Sequence, residues 1–318
     1  MDEMKAILQT EYGITADNIS SAVGGLSASA YKVDSAQGTF WLKAYDKRKT
    51  STIAQLDKLN LCMAVASWLH DNTGLKGKIN APLLTNEGAI KVETQNHAYL
   101  VFDYIDGTTI CTTPLSINQQ KELADIVGEL HQYGADMPFD FTSIQENFDI
   151  PCTELLKMPR KPNSSFCVYQ QHDMLMEAIN KAFKLANLVK SKQLPFVLCH
   201  ADIHGWNLIQ NDRLMLIDWE SIKFAPAEAD LYTFWGDWYW GNSNWGSYWD
   251  TFLPVYQKLR PEYVVCEDTL RFYQIRRHIE DIEEFYKEYI YDDLTVEERN
   301  EITAHLEREC KFLRTLIF

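Results

Sequence analysis

Hydrophobic positions change their period near residue 103. Upstream, residues 3–12 carry an amphipathic pattern that stops at Gly13 and predict a short helix. Ile19–Val23, Ala30–Val33 and Thr39–Tyr45 are short apolar-rich runs separated by Gly24-Gly25 and Gly38, which predicts strand, turn, strand, turn, strand. Ile53, Leu56, Leu59, Met63, Ala66 and Leu69 recur at helical spacing, and Asn72 and Gly74 end that helix. Ala89–Val92 and Ala98–Phe102 predict a further strand pair. The first hundred residues thus describe a small sheet with one inserted helix.

Asp103-Tyr-Ile-Asp-Gly107 reads as a hinge, and helical periods dominate beyond it. Ser116 is placed to cap a helix running to about Tyr133, with Leu123, Ile126, Val127 and Leu130 on one face. Residues 135–165 hold four prolines and read as connection, and 168–190 read as helix. Pro195–Cys199 predicts a strand, Leu208-Ile209 and Leu214–Ile217 a hairpin, and residues 227–318 helices. The expected architecture is α+β and two-lobed: residues 1–102, a hinge at 103–107, and a larger, mostly helical lobe at 108–318.

Composition narrows the class. A 318-residue chain with 46% apolar and 24% charged residues is globular and long enough for about two domains or one two-lobed unit. No run approaches the roughly 18 apolar residues of a membrane span. The acid-bearing N-terminus lacks the apolar core of a secretory signal. Seven scattered cysteines without a CxxC argue against a disulfide framework and a structural zinc site, so a reducing cytoplasm is expected. A net charge of −15 disfavours nucleic acid and suits a cationic partner, although acidic soluble proteins are common.

The chemistry concentrates in Val197-Leu-Cys-His-Ala-Asp-Ile-His-Gly-Trp-Asn207 and Leu214-Met-Leu-Ile-Asp-Trp-Glu220. His200, Asp202 and Asn207 have the spacing H-x-D-x-x-x-x-N of a kinase catalytic loop, and Asp218 ends the following strand. Phosphoryl transfer needs a carboxylate at the attacking hydroxyl, which suits Asp202. It also needs hard oxygen ligands for Mg²⁺ at the phosphates, which suits Asn207 and Asp218. Asp and Asn are also ordinary loop residues. His200 is read as a backbone prop and not as a proton carrier.

These stretches resemble the aminoglycoside phosphotransferase and choline kinase family. CHADIHGWN is similar to its HGDxxxxN loop, with Ala201 in the place of the glycine, and LIDWE is similar to its metal-binding strand. Pro226 and Asp230 in FAPAEADL match the segment whose Asp pins the catalytic loop, and Ile126–His131 echo the family's LGxxLaxLH. VLCHADIHGWN, IDWE and RHIEDI (277–282) are most similar to spectinomycin phosphotransferases. The resemblance implies a bilobal, protein-kinase-like fold that uses ATP or GTP with Mg²⁺. It implies that Lys43 clamps the α/β-phosphates and that the loop bearing Gly24, Gly25, Ser27 and Ser29 cradles phosphate. That loop lacks GxGxxG, and Gly-Gly is also an ordinary hairpin turn. The helix after Lys43 contains no Glu, so Asp57 or Asn60 is the candidate partner for the lysine. The resemblance further implies that Asp103 and Ile105 meet the adenine through the backbone, with Phe102 behind.

For the acceptor, Tyr232–Asp250 holds tryptophans at 235, 238, 240, 245 and 249, with Trp206 and Trp219 near the catalytic residues. Aromatic faces attract cations at roughly 0.5–2 kcal/mol each. Trp206, Trp235 and Trp240, with the acids Asp237, Asp250, Glu280, Asp281, Glu283 and Glu284, could form a wall for an amine-bearing acceptor, and Glu220 could assist. The same aromatics fit the helical spacing of a core, and the acids, flanked by Arg276, Arg277 and Lys287, fit a solvated face. The sequence therefore reads as a cytoplasmic, monomeric O-phosphotransferase acting on a small cationic acceptor. A housekeeping metabolite kinase (for choline or methylthioribose) shares every motif. A non-catalytic kinase-like module would be expected to lack Asp202, Asn207 or Asp218.

Overall fold

Alternation along strand β3 (Gly38–Asp46) organises the smaller lobe. Phe40, Leu42 and Ala44 face one side, packing with Ile7 and Leu8 of helix α1 (Asp2–Tyr12) and with Ile19 of β1 (Ala16–Ala22) and Val33 of β2 (Ser29–Ser35). A period of two then sends Trp41, Lys43 and Tyr45 to the opposite face. That face meets helix α2 (Thr50–Asn72), whose Leu59, Met63, Ala66 and Leu69 join a core that continues into the larger lobe. The antiparallel sheet is ordered β1-β2-β3-β5-β4, with β4 at Val92–Glu93 and β5 at His97–Asp103. Lys43 lies opposite Leu100 in the β3–β5 pair. The computed structural model describes the chain except residues 23–27, 162, 236–237, 241–242 and 247, and the side chains of 50, 51, 54, 238–240 and 243–246. Gly24, Gly25 and Ser27 of the expected phosphate loop, and Val23 at the end of the strand expected before it, lie outside the described residues.

Past the hinge, β6 (Thr108–Thr109) pairs with β8 (Leu208–Gln210), which pairs with β9 (Leu214–Leu216). Gly107 makes this pairing possible: a Cβ there would stand 2.6 Å from Ile209 Cγ2 and 2.8 Å from Gln210 O, closer than side chains approach. Helix α3 (Ile117–Leu130) begins at a capping box in which Ser116 and Gln119 satisfy each other's backbone N–H groups. Short helices α4 (Thr153–Lys157) and α5 (Cys167–Gln170) precede the long α6 (His172–Lys192). Strand β7 (Phe196–Cys199) pairs antiparallel with β10 (Lys223–Pro226), so the catalytic loop hangs between two small sheets. Helix α7 (Glu228–Leu231) follows, and α8 (Trp249–Leu259), α9 (Glu267–Tyr291) and α10 (Val296–Ile317) complete the lobe. Among the described residues, no helix is long and apolar enough to cross a membrane.

The region after residue 227 is not all helix. Trp238–Trp240 (β11) and Ser243–Gly246 (β12) form an antiparallel hairpin with Tyr239 opposite Asn244. Aromatic residues favour strands, and the intervening Gly241-Asn242 dipeptide is a hairpin-turn sequence. That local chemistry outweighs the helical spacing of the tryptophans. The strand expected at Ala89–Val92 is displaced to Val92–Glu93.

Candidate active site

Asp230 builds the catalytic loop from below. Its buried carboxylate accepts from His200 N at 2.8 Å and from Ala201 N at 2.6 Å. His131 Nε2–H donates to the same carboxylate at 3.0 Å, while its Nδ1 accepts from Tyr256 O–H at 2.8 Å. Burial pushes the His131 pKa down, which favours the neutral imidazole against the Asp230 carboxylate. His200 is fully buried, donates from Nε2 to Ile217 O at 3.0 Å and stacks edge-on against Trp219. Its Nδ1 accepts from Asp202 N at 3.3 Å, so both ring nitrogens serve the backbone. Ala201, in the glycine's place, holds φ +62°, a left-handed conformation that a Cβ disfavours.

Asp202 sits at the mouth of this loop. Its Oδ2 accepts from Asn207 Nδ2 at 3.0 Å and lies 3.3 Å from His204 Nε2. Its Oδ1 accepts from Arg277 Nη1 at 2.9 Å. Burial would raise the Asp202 pKa, but the charges of His204 and Arg277 outweigh it and hold the carboxyl well below the usual range. Asn207 spends its amide nitrogen on Asp202, and its Oδ1 accepts no hydrogen bond among the described residues. Ile217 N donates to Asn207 O at 2.9 Å, which sets Asn207 beside Asp218. Asp218 holds φ +70° at the end of β9. Asn207 and Asp218 therefore offer adjacent hard oxygen donors, the chemistry that Mg²⁺ prefers.

Lys43 closes the site from the sheet. Its Nζ lies 2.9 Å from Asp218 Oδ1 and 2.6 Å from Glu220 Oε1. Tyr45, also on the inward face of β3, donates its hydroxyl to Glu220. Burial alone would lower the Lys43 pKa; the two carboxylates outweigh it and raise it. Glu220 is pushed up to about 7 by burial and by the neighbouring charge of Asp218. Two acids thus face one ammonium, which leaves Asp218 available to a metal while Glu220 keeps the lysine in place.

These groups line one cleft of about 1560 Å³. Pockets for one small molecule usually hold about 300–1,000 Å³, so the cleft has room for a nucleotide and a second substrate. Phe102, Asp103, Tyr104 and Ile105 line it at the hinge, and the Ile105 N–H has no hydrogen-bond partner among the described residues. Helix α9 presents Arg277, Glu280, Asp281 and Glu284 to the same cleft. Arg277 Nε holds Asp281 Oδ1 at 2.9 Å. Glu280 and Glu284 make no hydrogen bond or ion pair within the described residues. Burial pushes Asp281 up to about 6 against the attraction of Arg277. Glu284 is exposed at the cleft, on the same helix as Glu280 and Asp281.

The other sequence-derived candidates divide. Trp206 lines the cleft and is 44% exposed. Trp235 does not line it and packs half-buried against the core; the Trp240 side chain and Asp237 lie outside the described residues. Asp57 is exposed on α2, and neither it nor Asn60 meets Lys43, because the acids after β9 take that place. Glu220 is taken up by Lys43, which it holds at 2.6 Å, and by Tyr45. Glu283 is buried on another face of α9, where it accepts from Glu154 N and Leu155 N at the start of α4. Asp250 is exposed on α8 and Ser29 is exposed at the start of β2; neither lines the cleft. Arg277 and Tyr45 were not singled out as site residues by the motifs. Arg277 sits inside RHIEDI, but only the tertiary fold shows that it reaches Asp202.

The fold has close structural relatives. Spectinomycin phosphotransferase APH(9)-Ia, solved with ADP and spectinomycin, superposes with a TM-score of 0.72 at 18% identity over 99% of this chain and 98% of its own. A microcompartment-associated aminopropanol kinase gives 0.64 at 14% identity over 98% of this chain and 96% of its own. An amicoumacin kinase, solved with AMP-PNP, Ca²⁺ and its antibiotic, gives 0.61 at 15% identity over 99% and 93%. No curated protein matches by sequence. Residues 18–266 match the model of the phosphotransferase enzyme family, a span that contains Lys43, Asp202, Asn207 and Asp218. With its small antiparallel sheet set on a helical lobe, the chain belongs to that phosphotransferase enzyme family.

Proposed function

We propose that this enzyme moves the terminal phosphoryl group of ATP or GTP to a hydroxyl of a small cationic acceptor, of the aminoglycoside or aminocyclitol class. The observation that carries the reading is the layout of the cleft. Asp202 meets Asn207, and Asp218 meets Lys43, in the same cleft that Glu280, Asp281 and Glu284 of α9 line.

The geometry supports a division of labour. The hinge backbone at Ile105 receives the base, and Lys43, held by Glu220, pairs with the phosphates. Asn207 and Asp218 would hold Mg²⁺, which when bound neutralises charge on the phosphates. Asp202 orients the acceptor hydroxyl and takes its proton as the oxygen attacks. The oxygen–phosphorus bond forms as the bond to the departing nucleoside diphosphate breaks, and no covalent enzyme intermediate is required. Positioning supplies most of the rate. Ionised acids on α9 attract ammonium groups and steer that hydroxyl toward Asp202.

The test is ADP release with a panel of amino sugars and amino alcohols, run beside Asp202→Asn. Turnover with a cationic acceptor that is lost in the variant supports the reading; equal turnover in both would remove Asp202 from the chemistry. Preference for choline or a neutral metabolite would retain the phosphoryl transfer and reassign the acceptor.

A further inference from the structure

Arg277 occupies an unusual position. It comes from α9, the helix that lines the acceptor end, yet its guanidinium spans two carboxylates with different tasks: Nη1 is 2.9 Å from Asp202 Oδ1 and Nε is 2.9 Å from Asp281 Oδ1. Asp202 Oδ2 is meanwhile engaged by Asn207 and His204. Both oxygens of the proposed base are thus occupied by protein donors. A cation sits at the one place where an acceptor's amine and hydroxyl would have to arrive together.

We propose that Arg277 is a specificity-determining residue that stands in for the acceptor's own cation: it shields Asp202 until an ammonium group bound near the reacting hydroxyl displaces it. This rests on the phosphotransferase reading above and extends it to the acceptor class, an alcohol with an amine close to the hydroxyl.

The geometry gives the motion a small radius. Nε can stay on Asp281 while rotation of the terminal bonds withdraws Nη1 from Asp202. Glu280, one residue before Asp281, and Glu284, one turn on, line the same cleft and carry no ion pair among the described residues. An incoming ammonium therefore finds carboxylates to bind, and the released guanidinium keeps one. Water brings no charge and competes poorly with the arginine for the carboxylate. The contact thereby disfavours a wasteful reaction in which a water oxygen bonds to the terminal phosphorus, the bond to the nucleoside diphosphate breaks, and the water proton passes to Asp202.

The experiment compares wild type with Arg277→Ala and Arg277→Lys. Unfolding midpoints establish that each variant is folded. Three quantities are read: nucleotide affinity, ADP release without acceptor, and binding of 2-aminoethanol as a minimal probe. Arg277→Ala is expected to keep nucleotide affinity within about twofold. It should raise acceptor-free ADP release about tenfold and bind the probe about tenfold more tightly. Adding methylguanidinium to this variant should suppress the extra hydrolysis. Arg277→Lys, which keeps charge but not the fork, should fall between the two. Nucleotide affinity retained with unchanged or lower hydrolysis, or with no gain in probe binding, overturns the proposal for Arg277 alone. A wild type that binds no nucleotide overturns both this proposal and the phosphotransferase mechanism on which it rests.

Discussion

Lys43 Nζ holds Glu220 Oε1 at 2.6 Å, joining residues 177 positions apart in sequence. The same ammonium reaches Asp218 Oδ1 at 2.9 Å. One side chain on β3 therefore ties the sheet to the segment that follows β9, and does so where the phosphates of a nucleotide would lie. Lys43→Ala leaves both acids without their cation. Loss of one partner from such a buried cluster costs about 3–5 kcal/mol. Urea titration should register a drop in that range, and nucleotide affinity should fall with it. Full stability with unimpaired nucleotide binding would remove the lysine from both roles.

Ala201 carries a strain that the sequence itself introduces. Its φ of +62° costs a non-glycine residue about 1–2 kcal/mol, and the freer unfolded chain of a glycine variant returns about half of that. Ala201→Gly should stabilise the protein by about 0.5–1 kcal/mol, seen as a higher denaturant midpoint at an unchanged slope. A destabilised variant would mean that the alanine methyl packs more favourably than the backbone geometry implies.

Asp230 is the single acceptor for two loop amides and for His131. Asp230→Ala strands three buried donors, each worth about 1–3 kcal/mol when unsatisfied. It should destabilise the fold by at least about 3 kcal/mol and lower kcat more than it raises the nucleotide KM. The check is a denaturation curve beside steady-state kinetics. A stable, active variant would show that the loop holds its shape without this clamp.

The acceptor end should respond to pH. Asp281 is pushed up to about 6, chiefly by burial. It is a raised carboxylate, so it is neutral below its pKa and negative above it. A cationic acceptor binds the negative form. The acceptor KM should fall as pH rises through about 6, provided the acceptor amine stays protonated. Asp281→Asn should flatten that profile. A KM independent of pH in both proteins would place the acceptor elsewhere.

The sequence was most readable where chemistry and structure are local. The catalytic loop, Asp218 and the pinning acid lie within one short stretch whose spacings survive any packing. The capping box at Ser116 and the alternation of β3 are local in the same sense. What escaped was set by distance or by ambiguous period. Lys43 finds its acids across the cleft and not on α2, and Arg277 meets Asp202 from 75 residues away. The tryptophans mix helical spacings (235/238 and 245/249) with a strand spacing (238/240), and pairing of β11 with β12 decides the matter. Glu283 and Asp281 are two residues apart, yet helical geometry sends one into the core and the other to the cleft.

The central claim is that Asp202 serves a phosphoryl transfer to a cationic alcohol, and acceptor-dependent ADP release tests it most directly. With saturating nucleotide and Mg²⁺, a panel of aminocyclitols, aminoglycosides and amino alcohols should contain at least one that stimulates release by wild type. Asp202→Asn should lower that stimulated rate by about 10²–10⁴-fold while nucleotide affinity holds within about twofold. Stimulated release that persists undiminished in Asp202→Asn would contradict the account.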